Sequence, residues 1–272
     1  MPIHSTAIIS KKAQIARNVH VGPYAVIEDN VIIGEGSQVG SFCLLTGNTT
    51  IGKNCQFFTG AVIGSAPQDK KFNTSQKVYL QIGDDNVFRE YVTVNPGTGE
   101  NGRTVIGDHN LLMAYAHVAH DCTLGNNCVM ANNGTLAGHV TLEDNAVVGG
   151  LTAIHQFVRL GRLSITGGCS KVVQDIPPFS TCDGHPARVY SLNLVGLRRA
   201  KVPVESVKVL QKAFKILFRS GLSRAHALEQ VKKESLLCPE LEHLISFVTT
   251  SKRGICASAR RGKQKEEVGE VA

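Results

Sequence analysis

The chain has 272 residues, 42% of them hydrophobic, 19% charged and only 6% aromatic, with no Trp; this excludes a disordered or fibrous protein. No stretch approaches the roughly 20 apolar residues of a membrane span, and Met1–Ser10 holds no signal-peptide core, so the expected location is cytoplasmic. The net charge of +7 is uneven, with 16 Lys and Arg against 8 Asp and Glu from Arg198 onward; that suits an acidic partner, while no nucleic-acid-binding module or aromatic platform accompanies it.

A six-residue period opens the chain. Every sixth residue from Ile3 is apolar: Ile9, Ile15, Val21, Ile27, Ile33, Val39, Leu45, Ile51, Phe57 and Ile63. The phase resumes at Ile82, Phe88 and Val94. It then runs from Ile106 through Leu112, Val118, Leu124, Met130, Leu136, Leu142, Val148, Ile154 and Leu160, falters at Thr166 and returns at Val172. Six matches neither a helix nor a hairpin alternation; it fits one short strand plus one turn, with the aliphatic side chain inward. Three repeats close a triangular coil of about 18 residues, and coils stack about 4.8 Å apart. Each coil buries its face only against its neighbours. The expected fold is mainly β, a parallel β-helix over residues 1–190.

Asn18, Asn30, Asn48, Asn54, Asn86, Asn126 and Asn145 are expected turn residues with left-handed backbone angles. Cys43, Cys55, Cys122 and Cys128 each lie four residues after an inward position and read as small buried ladder residues. The eight cysteines contain no CxxC pair, which argues against a metal or disulfide framework. Two interruptions, 65–81 and 95–105, are expected to be loops projecting near a site. Beyond Asp175-Ile176-Pro177-Pro178 the periodicity turns helical over Val204–Phe218, Ser223–Leu236 and Pro239–Ser251, with Pro203 and Ser223 as start residues. This gives a C-terminal α-helical domain at 191–251 and a polar tail at 252–272 expected to be disordered.

Chemistry concentrates between Ala116 and His155. Gly138 lies 18 residues after His120, one coil above it on the same wall, and Gln156 a further 18 on; His139 and His155 flank this column. A neutral imidazole beside a glycine N–H suits acyl transfer to a hydroxyl, the histidine removing the proton and the amide holding the oxyanion. Asp121 would orient His120. A zinc site built from His117, His120 and His139 is the competing reading, but a spacing of three does not put the first two on one face of a strand.

At these residues the sequence resembles the acyl-[acyl-carrier-protein]–UDP-N-acetylglucosamine O-acyltransferases, which open lipid A biosynthesis. The resemblance spans nearly the whole chain. Its most specific stretches are Gln68-Asp69-Lys70-Lys71-Phe72, Asn110-Leu111-Leu112-Met113, Ala116-His117-Val118-Ala119-His120-Asp121-Cys122, Leu136-Ala137-Gly138-His139-Val140, His155-Gln156-Phe157, Gln174-Asp175-Ile176-Pro177-Pro178 and Gly196-Leu197-Arg198-Arg199. It implies left-handed coiling, a homotrimer with clefts between subunits, and transfer of a (3-hydroxy)fatty acyl chain from acyl carrier protein to the 3-hydroxyl of UDP-N-acetylglucosamine. No cofactor or metal is implied beyond the carrier's phosphopantetheine arm. Carried over by position, His120 is the general base, Asp121 its assistant and the Gly138 amide the oxyanion hole. Asp69 and Lys71 would contact the sugar and the donor side of the cleft. His117, His139, His155 and Gln156 would line substrate or pantetheine contacts, and Asn193 and Arg199 would meet the nucleotide or the carrier arm. Gly168 matches a chain-length ruler, where a small residue leaves room for a longer tail.

The chain departs from the family pattern at Asn95, where many members carry His, at Val195, where several carry an acidic residue, and at Gly184-His185-Pro186, where His185 reads as structural. A later N-acyltransferase of the same pathway carries an additional N-terminal domain, for which hexads starting at Ile3 leave no space. A related UDP-amino sugar acceptor and a non-catalytic β-helix scaffold are the alternative functions.

Overall fold

In the computed structural model, which describes residues 3–235 and 237–259, nearly every inward position ends a two-residue strand. Each strand pairs in parallel with the third one after it, so that Ile9 meets Ile27, Ile15 meets Ile33 and Val21 meets Val39. The result is three sheets of nine, eight and ten strands around one axis, parallel but for the last edge strand of the ten-stranded sheet, a left-handed β-helix. Inward residues such as Ile27, Ile33, Leu45, Leu112 and Leu136 are sealed from solvent, and so are Cys43, Cys55, Cys122 and Cys128. Each buried aliphatic contributes about 1.5–3 kcal/mol. Phe57 and Phe88 stack inside the helix, centroids 4.8 Å apart. Thr166, where the phase falters, is also buried, and its Oγ1 accepts the Gly149 N–H at 3.0 Å.

In most coils the left-handed backbone angle falls on the third residue after the inward one. Asn18, Asn30, Asn54 and Asn145 occupy it, but so do Tyr24, Phe42, Asp121, His139, Leu151 and Phe157. Asn48, Asn86 and Asn126 do not, correcting the expectation for those three. Asn48 sits in the strand Asn48–Ile51 and donates to Val78 O. Asn86 is buried and donates to Gly107 O, and Asn126 Oδ1 accepts the Asp108 N–H.

Both interruptions leave the same corner. The strands Val62–Ile63, Thr93–Val94, His117–Val118, Thr135–Leu136 and Ala153–Ile154 are consecutive neighbours in the nine-stranded sheet. The loops 64–78 and 95–102 follow the first two. They are shorter than expected because Tyr79–Ile82 and Arg103–Ile106 form four-residue strands that pair with each other. The signal was a period of two: Leu80 and Ile82, then Thr104 and Ile106, point inward and are buried.

After the last coil an antiparallel hairpin, Ser180–Gly184 with Ala187–Leu192, leads into α1 (Leu194–Arg199), α2 (Val204–Arg219), α3 (Arg224–Glu234) and α4 (Pro239–Thr250). Pro203 precedes α2, and the Ser223 side chain caps α3 by accepting the His226 N–H. The exposed His185 lies in the hairpin turn. Contrary to expectation, the chain does not leave the fold at Lys252. Ile255 bridges to Asp175 and Ser258 to Val189, and Ile255 and Cys256 are buried; two apolar residues inside a polar tail supply the anchor. The remainder of the expected tail, 260–272, lies outside the described residues.

Glu143 fastens α4 to the β-helix. His243 Nε2 donates to its Oε2 at 2.7 Å and the Arg162 N–H at 2.8 Å, while Arg159 approaches Oε1 and lies 4.1 Å over the Phe247 ring. Burial alone would raise the Glu143 carboxyl, but the His243 hydrogen bond and charge, the Arg162 N–H and Arg159 together hold it below the usual range. No helix among the described residues is long and apolar enough to cross a membrane.

Candidate active site

The corner after His117–Val118 carries the chemistry. His120 is the second residue past the inward Val118 and Asp121 the third, at the left-handed position with φ of 59°. That backbone angle is one an aspartate adopts more readily than most residues. It turns the carboxylate back against its neighbour, and His120 Nδ1 meets Asp121 Oδ2 at 2.8 Å. One coil up, Gly138 and His139 occupy the same two positions, and His139 N–H donates to His120 O. Gln156 and Phe157 follow one coil higher, where Phe157 N–H donates to Gly138 O.

Gly138 is required by space. A Cβ there would lie 2.4 Å from His120 Cε1, 2.6 Å from Nε2 and 3.1 Å from Nδ1, so the imidazole rests directly against the bare glycine. Among the described residues the Gly138 N–H has no acceptor. A free N–H and an imidazole thus share one corner, the pairing the spacing of 18 predicts.

Asp121 is held from a second side. Thr98, on the loop 95–102 one coil below, donates its hydroxyl to Oδ2 at 2.5 Å and its N–H to Oδ1 at 3.0 Å. Burial would raise the Asp121 carboxyl, yet the hydrogen bonds from Thr98 and His120, with the nearby His139, hold it below the usual carboxylate range. A carboxylate only accepts, so in the neutral His120 imidazole the proton sits on Nδ1 and the lone pair is on Nε2. Thr98 escaped sequence reasoning because its loop has no period. Its signal was positional: the loop follows the strand directly beneath His117–Val118.

The other expected residues divide. His139 joins the cluster, its Nε2 3.7 Å from Asp121 Oδ2 and its ring stacked on Phe157 at 4.6 Å. His117 faces outward on the strand, with Nδ1 2.7 Å from Thr93 Oγ1; burial, then the charge of His120, lowers its pKa. His155 and Gln156 are exposed above. Asp69 and Lys71 lie on the loop 64–78, where Asp69 Oδ1 accepts the Lys71 N–H. Neither has a hydrogen bond or ion pair to the His120 pair among the described residues. Asn95 is buried and donates from Nδ2 to Ser65 O and Ala66 O, tying the two loops together. Asn193 caps α1, accepting the Gly196 N–H and donating to Leu163 O, and Arg199 is exposed in the last turn of α1. Gly168 follows the strand Ile165–Thr166 of the ten-stranded sheet, hence a different corner from His120. A Cβ on Gly168 would meet only Gly150 O, at 3.3 Å.

The three imidazoles of the zinc reading do not converge. The ligand atoms within 4.8 Å of one another belong to His120, Asp121 and His139, and Asp121 is already engaged by Thr98.

Residues 12–47 and 103–138 match the bacterial transferase hexapeptide repeats, and residues 175–256 match the second domain of UDP N-acetylglucosamine O-acyltransferase. The acyl-[acyl-carrier-protein]–UDP-N-acetylglucosamine O-acyltransferase of Thermodesulfovibrio yellowstonii is 49% identical over 255 residues, covering 93% of this chain and 98% of that protein. The enzyme of the same name from Herminiimonas arsenicoxydans is 45% identical with the same coverage. Among solved structures, the UDP-N-acetylglucosamine acyltransferase of Campylobacter jejuni matches at a TM-score of 0.88 and 39% identity, covering 94% of this chain and 100% of that one. The Bacteroides fragilis enzyme matches at 0.90 and 37%, covering 93% and 98%.

Proposed function

From the premise that this chain belongs to the acyl-[acyl-carrier-protein]–UDP-N-acetylglucosamine O-acyltransferase family, we propose that His120 is the base through which it acylates the 3-hydroxyl of UDP-N-acetylglucosamine, the first step of lipid A biosynthesis. His120 Nε2 takes the hydroxyl proton as the sugar oxygen attacks the thioester carbonyl of acyl carrier protein. The Gly138 N–H stabilises the oxyanion of the tetrahedral intermediate. Collapse forms the ester and expels the phosphopantetheine thiolate, which takes the proton back from His120. Asp121 steadies the imidazolium between these transfers. The sequence of steps calls on no cofactor or metal.

The observation that carries this reading is the His120 imidazole, bonded through Nδ1 to Asp121 and lying against a glycine whose N–H is unused. The groove is completed by a homotrimer. One corner of the β-helix exposes Tyr24, Phe42, Tyr91, Tyr115 and Leu151, an apolar edge that calls for a covering partner. Gly168 follows on that edge, so a neighbouring protomer would bring its ruler position to the groove beside His120. Arg198, Arg199, Lys201 and Lys215 on α1, α2 and the segment between them offer a basic landing for acidic carrier protein. All eight cysteines are free thiols, which suits the cytoplasm.

The test is to incubate the purified chain with acyl carrier proteins of graded chain length and UDP-N-acetylglucosamine, following products by mass spectrometry. An O-acyl ester on the sugar is expected. Transfer only to a UDP-sugar bearing a 3-amino group would move the assignment to that acceptor, and no transfer at all would favour a non-catalytic scaffold.

A further inference from the structure

Asp121 stands between two imidazoles. Its Oδ2 is 2.8 Å from His120 Nδ1 and 3.7 Å from His139 Nε2. Both rings come from the same corner of successive coils, and the Asp121 side chain is 14% exposed, so rotation about its own bonds could deliver it to either histidine or to water. What decides among these lies on neither coil. Thr98 reaches up from the loop below and donates twice, from its hydroxyl and from its N–H, spanning both carboxylate oxygens.

The loop is built to hold that donor in place. A Cβ on Gly102 would lie 1.7 Å from Thr98 O, and one on Gly97 would lie 2.1 Å from the Arg103 N, so the two glycines let the loop fold tightly around Thr98. Gly97 N–H donates to Tyr79 O, Asn101 N–H to Lys77 O and Asn95 Nδ2 to Ser65 O, anchoring the loop to the segment that carries Asp69 and Lys71.

We propose that Thr98 is a positioning residue of the reaction: its hydroxyl fixes the Asp121 carboxylate on His120 rather than on His139, and so keeps the His120 Nδ1 proton in place and Nε2 free. The inference rests on His120 being the base, as proposed above. It assigns the loop 95–102 a part in the chemistry, where sequence reasoning expected only a projection near the site. The loop thereby joins the Asp69–Lys71 segment and the His120–Asp121 pair into one braced unit.

The test uses the full-length enzyme with Thr98→Val, which keeps shape and backbone N–H but removes the hydroxyl, and Thr98→Ser, which restores a donor. T98V is expected to lower kcat about ten- to a hundredfold while leaving KM for both substrates within about twofold, and T98S to recover most of the loss. Because Thr98 acts through Asp121, T98V should add almost nothing to Asp121→Asn. A crystal structure of T98V should show the carboxylate turned away from His120. An unchanged kcat, a T98S enzyme as impaired as T98V, or effects that add in full would overturn the proposal. So would an unmoved carboxylate, a readout independent of whether the acyl-transfer assignment stands.

Discussion

Replacing Gly138 by alanine probes the site with one added carbon. Gly138 does not use left-handed backbone angles, so alanine meets no backbone penalty and the substitution tests space alone. The new Cβ would lie 2.4 Å from His120 Cε1 and 2.6 Å from Nε2, against an ordinary contact of about 3.5–4.0 Å. The ring must therefore retreat by about 1 Å. Its bond to Asp121 is 2.8 Å, and a retreat of that size takes it past the limit of roughly 3.2 Å for a good hydrogen bond. Misplacement on this scale costs about a hundredfold in rate. The Gly138 N–H survives, so the loss reports the imidazole and not the oxyanion donor. His120 borders solvent and can swing outward, which limits the stability cost to about 1–3 kcal/mol. Steady-state kinetics beside a thermal melt would separate the two effects. A G138A enzyme with wild-type kcat would refute the idea that the imidazole works from its place against residue 138.

Gly168→Met should lower the melting temperature only modestly, since a Cβ there meets Gly150 O alone, at a tight 3.3 Å. It should shift the preferred donor toward shorter acyl chains, measured as the ratio of rates with long and short acyl carrier proteins; an unchanged ratio would remove Gly168 from the ruler role. Glu143→Gln should cost about 1.5–3 kcal/mol near neutral pH through the lost charge-assisted bonds to His243 and Arg162. The Glu143 carboxyl is depressed in the fold, so its contribution is complete above the unfolded carboxylate pKa and is lost as pH falls through the folded value. Melting temperatures of wild type and E143Q should therefore converge in acid and separate above about pH 5; a constant gap across pH would contradict this.

The coil architecture was legible because the inward position recurs every six residues and tolerates only residues that fill a narrow core. Its turns were less so. The left-handed angle is set by phase and not by residue type, which is why Tyr24, Phe42 and Leu151 adopt it while Asn86, one position after the left-handed Asp85, is buried in the core. The stacking of Gly138 on His120 followed from 18-residue arithmetic. Thr98 did not, because an insertion breaks that arithmetic just where the loop folds back over the coil above. Ile255 and Cys256 were hidden in a segment whose average composition is polar, although two apolar residues suffice to pin a strand edge. Asn193, Arg199 and Gly168 lie apart from the His120 corner within one chain, and sequence alone has no means of showing whether a second protomer would bring them to it.

The most direct measurement is single-turnover transfer from acyl carrier protein to UDP-N-acetylglucosamine by wild type and His120→Gln, with the melting temperature of each recorded. Loss of the imidazole should slow ester formation by about a hundredfold or more with the fold intact. Ester formation by H120Q at the wild-type rate would contradict the account, because the proton would then leave the sugar by another route.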